Sequence, residues 1–131
     1  MDSGTKKKIM VVDDETDFSF AMEYWLKSKG YEVKTAPDGY KALDLMNEFK
    51  PDLIFLDLNM PGIDGVETLK RIRQVDKEVP VIVISAFVED KKVDEAAQYN
   101  TSGVFSKDKD FEEGLFLVET ALRRHKRLKE E

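Results

Sequence analysis

The sequence predicts a single α/β domain, a (βα)5 chain that forms a doubly wound parallel sheet, and three observations lead to that fold class. The chain has 131 residues, enough for one domain with a substantial core. Five short apolar segments alternate strictly with segments of helix length, which requires right-handed crossover connections. The first, third and fourth apolar segments are continuously apolar, as is typical of strands covered on both faces of a parallel sheet.

The five strands are expected at the five apolar segments. Pro80 stands near the start of the fourth, where a missing N–H group is tolerated. The predicted strands are Ile9–Val12, Tyr31–Ala36, Leu53–Leu56, Val79–Ile84 and Gly103–Phe105.

Four helices are expected from apolar stripes with helical spacing. The first ends before Gly30, a favourable C-terminal cap, and the second ends before Pro51. The basic residues of the third are expected to face solvent. The stripes are, in order, Phe18, Met22, Trp25 and Leu26; Ala42, Leu43, Leu45, Met46 and Phe49; Val66, Leu69, Ile72, Arg73 and Val75; Phe111, Leu115, Val118 and Leu122.

Two helical segments have unusual apolar patterns. The segment from Glu89 to Asn100 has few apolar residues, which predicts a weakly held fourth helix. In the last helix, Phe116 and Leu117 widen the apolar stripe, which predicts additional core, with a dimer or partner surface as the alternative.

Composition and charge exclude several classes of protein. Charged residues make up 37% and hydrophobic residues 41%, in separate blocks, which indicates a folded domain. The net charge of −6 argues against direct nucleic-acid binding. The lack of cysteine excludes disulfides, thiolate metal sites and a Cys nucleophile. A polar N-terminus and the absence of an apolar run of about 20 residues predict a cytoplasmic protein without a membrane span.

The two ends of the chain are expected to lie outside the domain. Residues 1–7 are predicted to be a disordered tail, residues 8–127 the domain, and residues 128–131 a charged tail or the start of a linker. His125 lies in a basic run, Arg123–Lys129, and is interpreted as a surface residue of a helix end whose charge complements the helix dipole.

Polar side chains follow the strands at one edge of the predicted sheet. Asp13 and Asp14 follow the first strand, Asp57 the third, Ser85 the fourth and Lys107 the fifth. Each residue alone would be interpreted as a helix cap, a turn residue or a solvated side chain. Their occurrence at the same end of different strands instead predicts a binding site, since ligands of open α/β sheets bind there.

The chemistry of these residues indicates a cation and a phosphoryl group. Two carboxylates roughly 4 Å apart repel each other by about 4 kcal/mol at an effective dielectric constant of about 20, so three need a counter-charge. Oxygen ligands favour a hard divalent cation, above all Mg²⁺. A carboxylate beside that ion can attack a phosphoryl group to form an acyl phosphate. Lys107 would stabilise the phosphoryl oxygens, and the Ser85 hydroxyl would donate to one of them.

Four motifs now carry a family resemblance: "VVDDE", "LDLNMPGIDG", "VISA" and the lysine of "FSKD". With them the chain resembles the CheY-like receiver domain of two-component response regulators, from Lys8 to about Arg127. The resemblance implies a flavodoxin-like three-layer sandwich with strand order 2-1-3-4-5. It also implies that Asp57 accepts a phosphoryl group, and that Ser85 and Lys107 contact the phosphoryl oxygens. The metal ligands it implies for Mg²⁺ (or Mn²⁺) are Asp13, Asp14, Asp57 and the backbone carbonyl of Asn59.

The resemblance implies partners as well. The donor would be a phosphohistidine of a sensor histidine kinase or of a phosphotransfer protein. The output would be a downstream effector protein or domain, controlled through the surface of helix 4, strand 5 and helix 5, or a homodimer formed on phosphorylation. The protein would assist its own phosphorylation and dephosphorylation without being an enzyme in its own right.

Two positions depart from the family pattern. Val104 stands where the family carries an aromatic residue, with Phe105 one position late, so switching through Ser85, Val104 and Phe105 is predicted to be atypical. Asp108 replaces the proline that usually follows the lysine, which predicts a trans peptide bond, because a cis bond before a non-proline residue costs roughly 2.5–4 kcal/mol.

Two other functions remain alternatives. A Mg²⁺-dependent phosphohydrolase with an aspartyl-phosphate intermediate usually carries a second Asp two residues after the nucleophile, where this chain has Asn59. A pseudo-receiver that only binds protein partners is favoured by Val104 and Asp108, but the complete set of acids and Lys107 speaks against it.

Overall fold

The protein forms three layers, with one parallel sheet between two layers of helices. The computed structural model describes residues 6–86 and 91–130, with side chains as far as 128. The strands are β1 (Lys8–Val12), β2 (Glu32–Ala36), β3 (Leu53–Asp57), β4 (Val81–Ser85) and β5 (Gly103–Ser106). The helices are α1 (Thr16–Ser28), α2 (Gly39–Phe49), α3 (Gly65–Val75), α4 (Lys91–Ala97) and α5 (Phe111–Glu130).

The sheet has the strand order β2-β1-β3-β4-β5, and every neighbouring pair is parallel. The predicted fold class is therefore confirmed. All five residues of β3 and of β4 are buried, as expected for continuously apolar strands between two helical layers. The predicted strands agree with the observed ones to within two residues at each end.

The sheet separates two apolar cores. One lies between the sheet and α2, α3 and α4, and the other lies between the sheet and α1 and α5. Within the described residues, no helix combines the length and the hydropathy that crossing a membrane requires.

Helix α4 has the weak apolar anchoring that the sequence predicts. Ala96 is the only residue of Lys91–Ala97 that is buried. The expected start of this helix at residues 89 and 90 lies outside the described residues. The C-terminal end of α4 is instead held by polar contacts, which originate on α3.

The expectation that all basic residues of α3 face solvent is wrong for Arg73. This side chain is half-buried, and its guanidinium donates to the carbonyl oxygens of Tyr99 at 2.7 Å, Asn100 at 3.0 Å and Asp76 at 3.1 Å. Burial lowers the pKa of Arg73, and the nearby Asp76 carboxylate opposes that shift. Val75, placed in the apolar stripe from the sequence, is 58% exposed.

Replacing Arg73 by methionine is expected to loosen α4. Hydrogen bonds from a charged donor contribute roughly 1.5–3 kcal/mol when both partners are retained. We therefore expect faster hydrogen exchange of the α4 amides and a loss of about 1–2 kcal/mol in the free energy of unfolding. The matched control is Arg71→Met, because Arg71 pairs with Glu67 on the outer surface of the same helix. Equal effects of the two variants would contradict the role given to Arg73.

Helix α5 continues to Glu130, through the basic run Arg123–Lys129 that the sequence predicts as a helix end. Leu117 packs against the α1–α5 core, whereas Phe116 is 65% exposed. The core interpretation is therefore confirmed for Leu117 and wrong for Phe116. His125 lies on α5 and is half-buried.

Candidate functional site

The carboxyl ends of β1, β3, β4 and β5 lie side by side, and they position the site. Asp57 is the last residue of β3 and pairs with Ile84 in β4. Ser85, fully buried, ends β4, and its carbonyl oxygen accepts the backbone N–H of Lys107 at 3.1 Å. Asp13 directly follows β1, where its N–H donates to Ala36 of β2 at 3.1 Å.

Asp57 does not cap a helix. The neighbouring acid Asp64 caps α3, where its Oδ1 accepts the N–H of Glu67 at 2.9 Å. Oδ1 of Asp57 accepts the N–H of Asn59 at 2.9 Å, which fixes the carboxylate at the strand tip. Gly65 makes this arrangement possible, because a Cβ at that position would lie 2.3 Å from the carbonyl oxygen of Asp57. The α3 terminus therefore packs directly on the backbone of Asp57.

Lys107 is the cation of the site. Its Nζ lies 3.0 Å from Oδ2 of Asp13 and 3.6 Å from Oδ2 of Asp57. The ammonium also lies over the ring of Phe18, 4.9 Å from its centroid, and forms an ion pair with Glu15. Sequence reasoning missed the contact with Glu15, although the residue stands in the "VVDDE" motif.

Three carboxylates fit a hard divalent cation. Asp13, Asp14 and Asp57 each offer an oxygen, and these oxygens lie within 4.8 Å of one another. Oδ2 of Asp13 is buried and accepts no hydrogen bond within the described residues. This oxygen also lies 3.0 Å from the Lys107 ammonium, and as part of an all-oxygen donor set it is suited to Mg²⁺. The acids predicted from the sequence as metal ligands are therefore brought together. Asn59, the fourth predicted ligand, is exposed beside them.

The two buried acids have raised pKa values. Burial raises the pKa of Asp57 to about 7, aided by the charge of Asp13 and opposed by the Asn59 hydrogen bond and by Lys107. Burial likewise raises the pKa of Asp13, against the hydrogen bond from Glu15 and the ammonium of Lys107. Burial alone would lower the pKa of Lys107, but the contacts with Glu15, Asp13 and Asp57 outweigh it and raise that pKa. Lys107 therefore stays charged, while the charged forms of the Asp13 and Asp57 carboxylates are disfavoured.

Asp57→Asn is expected to raise the stability of the metal-free protein at high pH. Between the ordinary Asp pKa of 3.8 and about 7, the folded state binds more protons at Asp57 than the unfolded state does. Stability is therefore lost as the pH rises through this window. We expect the free energy of unfolding of the variant to exceed that of the unaltered protein by roughly 1–3 kcal/mol at about pH 8, because one pKa unit corresponds to about 1.4 kcal/mol. Near about pH 4 the difference should be much smaller. Urea unfolding in EDTA measures this difference. A gain that is equal at both pH values would contradict it, and the exposed Asp17→Asn serves as control.

The residues of the predicted switch region face opposite layers. Val104 is half-buried against the core beneath α4, whereas Phe105 is fully buried in the α1–α5 core. The ring of Phe105 lies against α5 at Gly114, where a Cβ would be 3.3 Å from it. Phe105 therefore does not replace the aromatic residue missing at position 104.

Asp108, at the position where the family usually has proline, follows an ordinary trans peptide bond. The described residues contain no cis peptide bond, so the predicted trans bond between Lys107 and Asp108 is confirmed. The Asp108 carboxylate accepts a hydrogen bond from the Ser106 hydroxyl, a side-chain contact that proline could not make. Asp110 then caps α5, where its Oδ1 accepts the N–H of Glu113 at 3.1 Å.

Comparisons with known proteins agree with this geometry. A family model described as the response regulator receiver domain matches residues 9–119. The chain is 46% identical over 87 residues to the transcriptional regulatory protein PrrA of Mycobacterium tuberculosis, an alignment that covers 66% of this chain and 37% of that protein. It is 33% identical over 107 residues to sporulation initiation phosphotransferase F of Bacillus subtilis, covering 82% of this chain and 86% of the relative.

Solved structures share the fold. NtrX of Brucella abortus superposes with a TM-score of 0.90 at 30% identity, over 96% of this chain and 29% of that chain. Chemotaxis protein CheY4 of Vibrio cholerae gives a TM-score of 0.80 at 28% identity, over 92% of this chain and 98% of the other. The chain thus spans about a third of the length of PrrA and of NtrX, and nearly all of CheY4.

Proposed function

Since the chain belongs to the response regulator receiver domain family of two-component systems, we propose that it is a phosphoacceptor switch centred on Asp57. The donor would be a phosphohistidine of a sensor kinase or of a phosphotransfer protein. One observation supports the proposal above all others. Asp57 is a buried carboxylate that caps no helix, with oxygens of Asp13 and Asp14 within 4.8 Å and the ammonium of Lys107 at 3.6 Å.

The reaction is a transfer of a phosphoryl group to Asp57. One carboxylate oxygen attacks phosphorus, the P–N bond to the imidazole breaks, and its electron pair leaves with the imidazole. Lys107 and the Ser85 hydroxyl would then bind phosphoryl oxygens, since both end at the same edge of the sheet. Mg²⁺ (or Mn²⁺), held by Asp13, Asp14, Asp57 and the carbonyl of Asn59, would supply positive charge against those oxygens.

Acetyl phosphate tests this function without a partner protein. We expect the mass of one phosphoryl group to be added in the presence of Mg²⁺ and not in EDTA. Complete failure of labelling would favour the pseudo-receiver alternative, for which Val104 is the supporting observation. Steady turnover of a phosphomonoester would favour the phosphohydrolase instead. In the function proposed here the protein receives the group and is not an enzyme of that kind.

The output is proposed to pass through α4, β5 and α5. Helix α4 is the least anchored helix of the described structure, and it lies beside Val104 of β5. A downstream effector protein or domain, or a second copy of the phosphorylated chain, would bind this surface. The proposal includes neither direct nucleic-acid binding nor association with a membrane. The phosphoryl transfer would take place in the cytoplasm.

A further inference from the structure

We propose that Glu15 is a positioning residue for Lys107 that restrains phosphorylation. In the unphosphorylated protein its carboxylate holds the ammonium that a phosphoryl group on Asp57 has to recruit. The inference rests on the proposed function of Asp57, and it assigns a role to an acid outside the metal-binding set.

The side chain of Glu15 is committed to Lys107 instead of to its own helix. Glu15 is the N-cap residue of α1, yet its side chain makes no capping hydrogen bond. N-cap side chains usually accept an N–H of the first helical turn. Here the carboxylate reaches a lysine 92 residues away in the chain. A capping role therefore does not account for this acid, and substituting it removes no cap.

The ammonium of Lys107 is oriented towards β1 and α1. It donates to Oδ1 of Asp13 at 3.3 Å and to Glu15, and it lies over the Phe18 ring. Its 3.6 Å separation from Oδ2 of Asp57 is too long for a hydrogen bond. Lys107 is therefore not yet bonded to Asp57, and the attraction of Glu15 opposes its recruitment by a phosphoryl oxygen there.

Glu15 is the partner that can be released. Asp13 is buried, so losing the ammonium would leave a buried charge without compensation. The Glu15 side chain is 62% exposed, and water can replace its ion pair at little cost. Phosphorylation adds about −1.5 to −2 charge next to Lys107. The Glu15 carboxylate competes with that new charge, and removing its own charge frees the ammonium.

The test compares Glu15→Gln, which keeps the side-chain size, with Asp17→Asn, which removes the same charge. Asp17 is exposed in the first turn of α1 and makes no ion pair within the described residues. With acetyl phosphate and Mg²⁺, Asp57 attacks phosphorus, the P–O bond breaks and acetate leaves. We expect Glu15→Gln to label about two to five times faster than the unaltered protein, as an exposed ion pair allows, and Asp17→Asn to label at the original rate.

A double-mutant cycle with Lys107→Ala identifies the route of the effect. The acceleration by Glu15→Gln should vanish in the Lys107→Ala background. An equilibrium measurement makes the same comparison without chemistry: beryllium fluoride, which occupies the phosphoryl position on a carboxylate, should bind Glu15→Gln about two to five times more tightly, and this gain should also require Lys107. Melting temperatures verify that the variants fold.

Several results would overturn the inference. They are a slower or unchanged rate in Glu15→Gln, an equal acceleration in Asp17→Asn, or an acceleration that survives in Lys107→Ala. Failure of the proposed function is distinct from these, because the unaltered protein would then take no label and bind no beryllium fluoride at Asp57.

Discussion

Replacing Asp57 by alanine is expected to abolish the phosphoryl label that acetyl phosphate leaves on the protein in Mg²⁺. The reason is geometric. The carboxylate of Asp57 stands at the tip of β3, fixed by the N–H of Asn59, with the other acids and Lys107 around it. Among the described residues, no other carboxylate of the site has this central position on the sheet, between β1 and β4. Intact-mass spectrometry with peptide mapping measures the label.

The matched control is Asp64→Asn. Asp64 lies in the same loop, but its carboxylate caps α3, and asparagine is an equally good N-cap residue. This variant should retain the label at close to the original rate. Asp57→Asn accompanies Asp57→Ala, because it preserves the acceptor for Asn59 and excludes unfolding as the cause of the loss. A label that persists without Asp57 and maps to Asp13 or Asp14 would show that the nucleophile has been assigned wrongly.

The sheet and its functional edge could be predicted because both follow from patterns along the chain. β3 and β4 are buried on both faces, so their sequences are continuously apolar, and polar residues occur where the strands end. Parallel strands bring those ends to one edge. Asp13, Asp57, Ser85 and Lys107 could therefore be grouped before any distance was known.

The contacts of long side chains could not be predicted in the same way. Arg73 occupies a position on α3 from which its guanidinium reaches carbonyls 26 and 27 residues away, and helical spacing carries no information about that reach. The ion pair of Glu15 with Lys107 spans 92 residues and depends on side-chain rotamers at the rim of the site. The apolar stripe of the last helix likewise did not distinguish Phe116, which is exposed, from Leu117, which packs against the α1–α5 core.

Alternation along β5 could have placed Phe105 more exactly. Successive side chains of a strand point to opposite faces, so an aromatic residue one position after Val104 belongs to the other layer. The structure shows this directly, with Phe105 among the rings of Phe18, Phe55 and Phe111. The acidic site and the missing aromatic residue at position 104 are therefore separate features. The site brings together the three predicted acids and Lys107, whereas position 104 has only Val104 beneath α4.

Mg²⁺ is expected to make the unaltered protein more stable than the Asp13→Asn variant, although the variant is expected to be the more stable of the two without metal. Burial disfavours the charge of Asp13, and that charge in turn disfavours the charge of Asp57, so Asp13→Asn should be the more stable protein in EDTA. A ligand that binds only the folded state raises the free energy of unfolding by roughly 2.7 kcal/mol when its concentration is about 100 times its Kd. Only the unaltered protein retains all three carboxylates, so it should gain nearly this amount and become the more stable of the two in saturating Mg²⁺.

Thermal and urea unfolding across a Mg²⁺ titration would show this crossing. Glu78→Gln is the control, since Glu78 is an exposed acid just before β4, at the opposite end of the sheet, and its variant should respond to Mg²⁺ as the unaltered protein does. A melting temperature indifferent to millimolar Mg²⁺ would remove the metal from this site. Equal stabilisation of Asp13→Asn would instead mean that the ion binds elsewhere, because Asp13 is one of the three acids whose oxygens lie within 4.8 Å of one another.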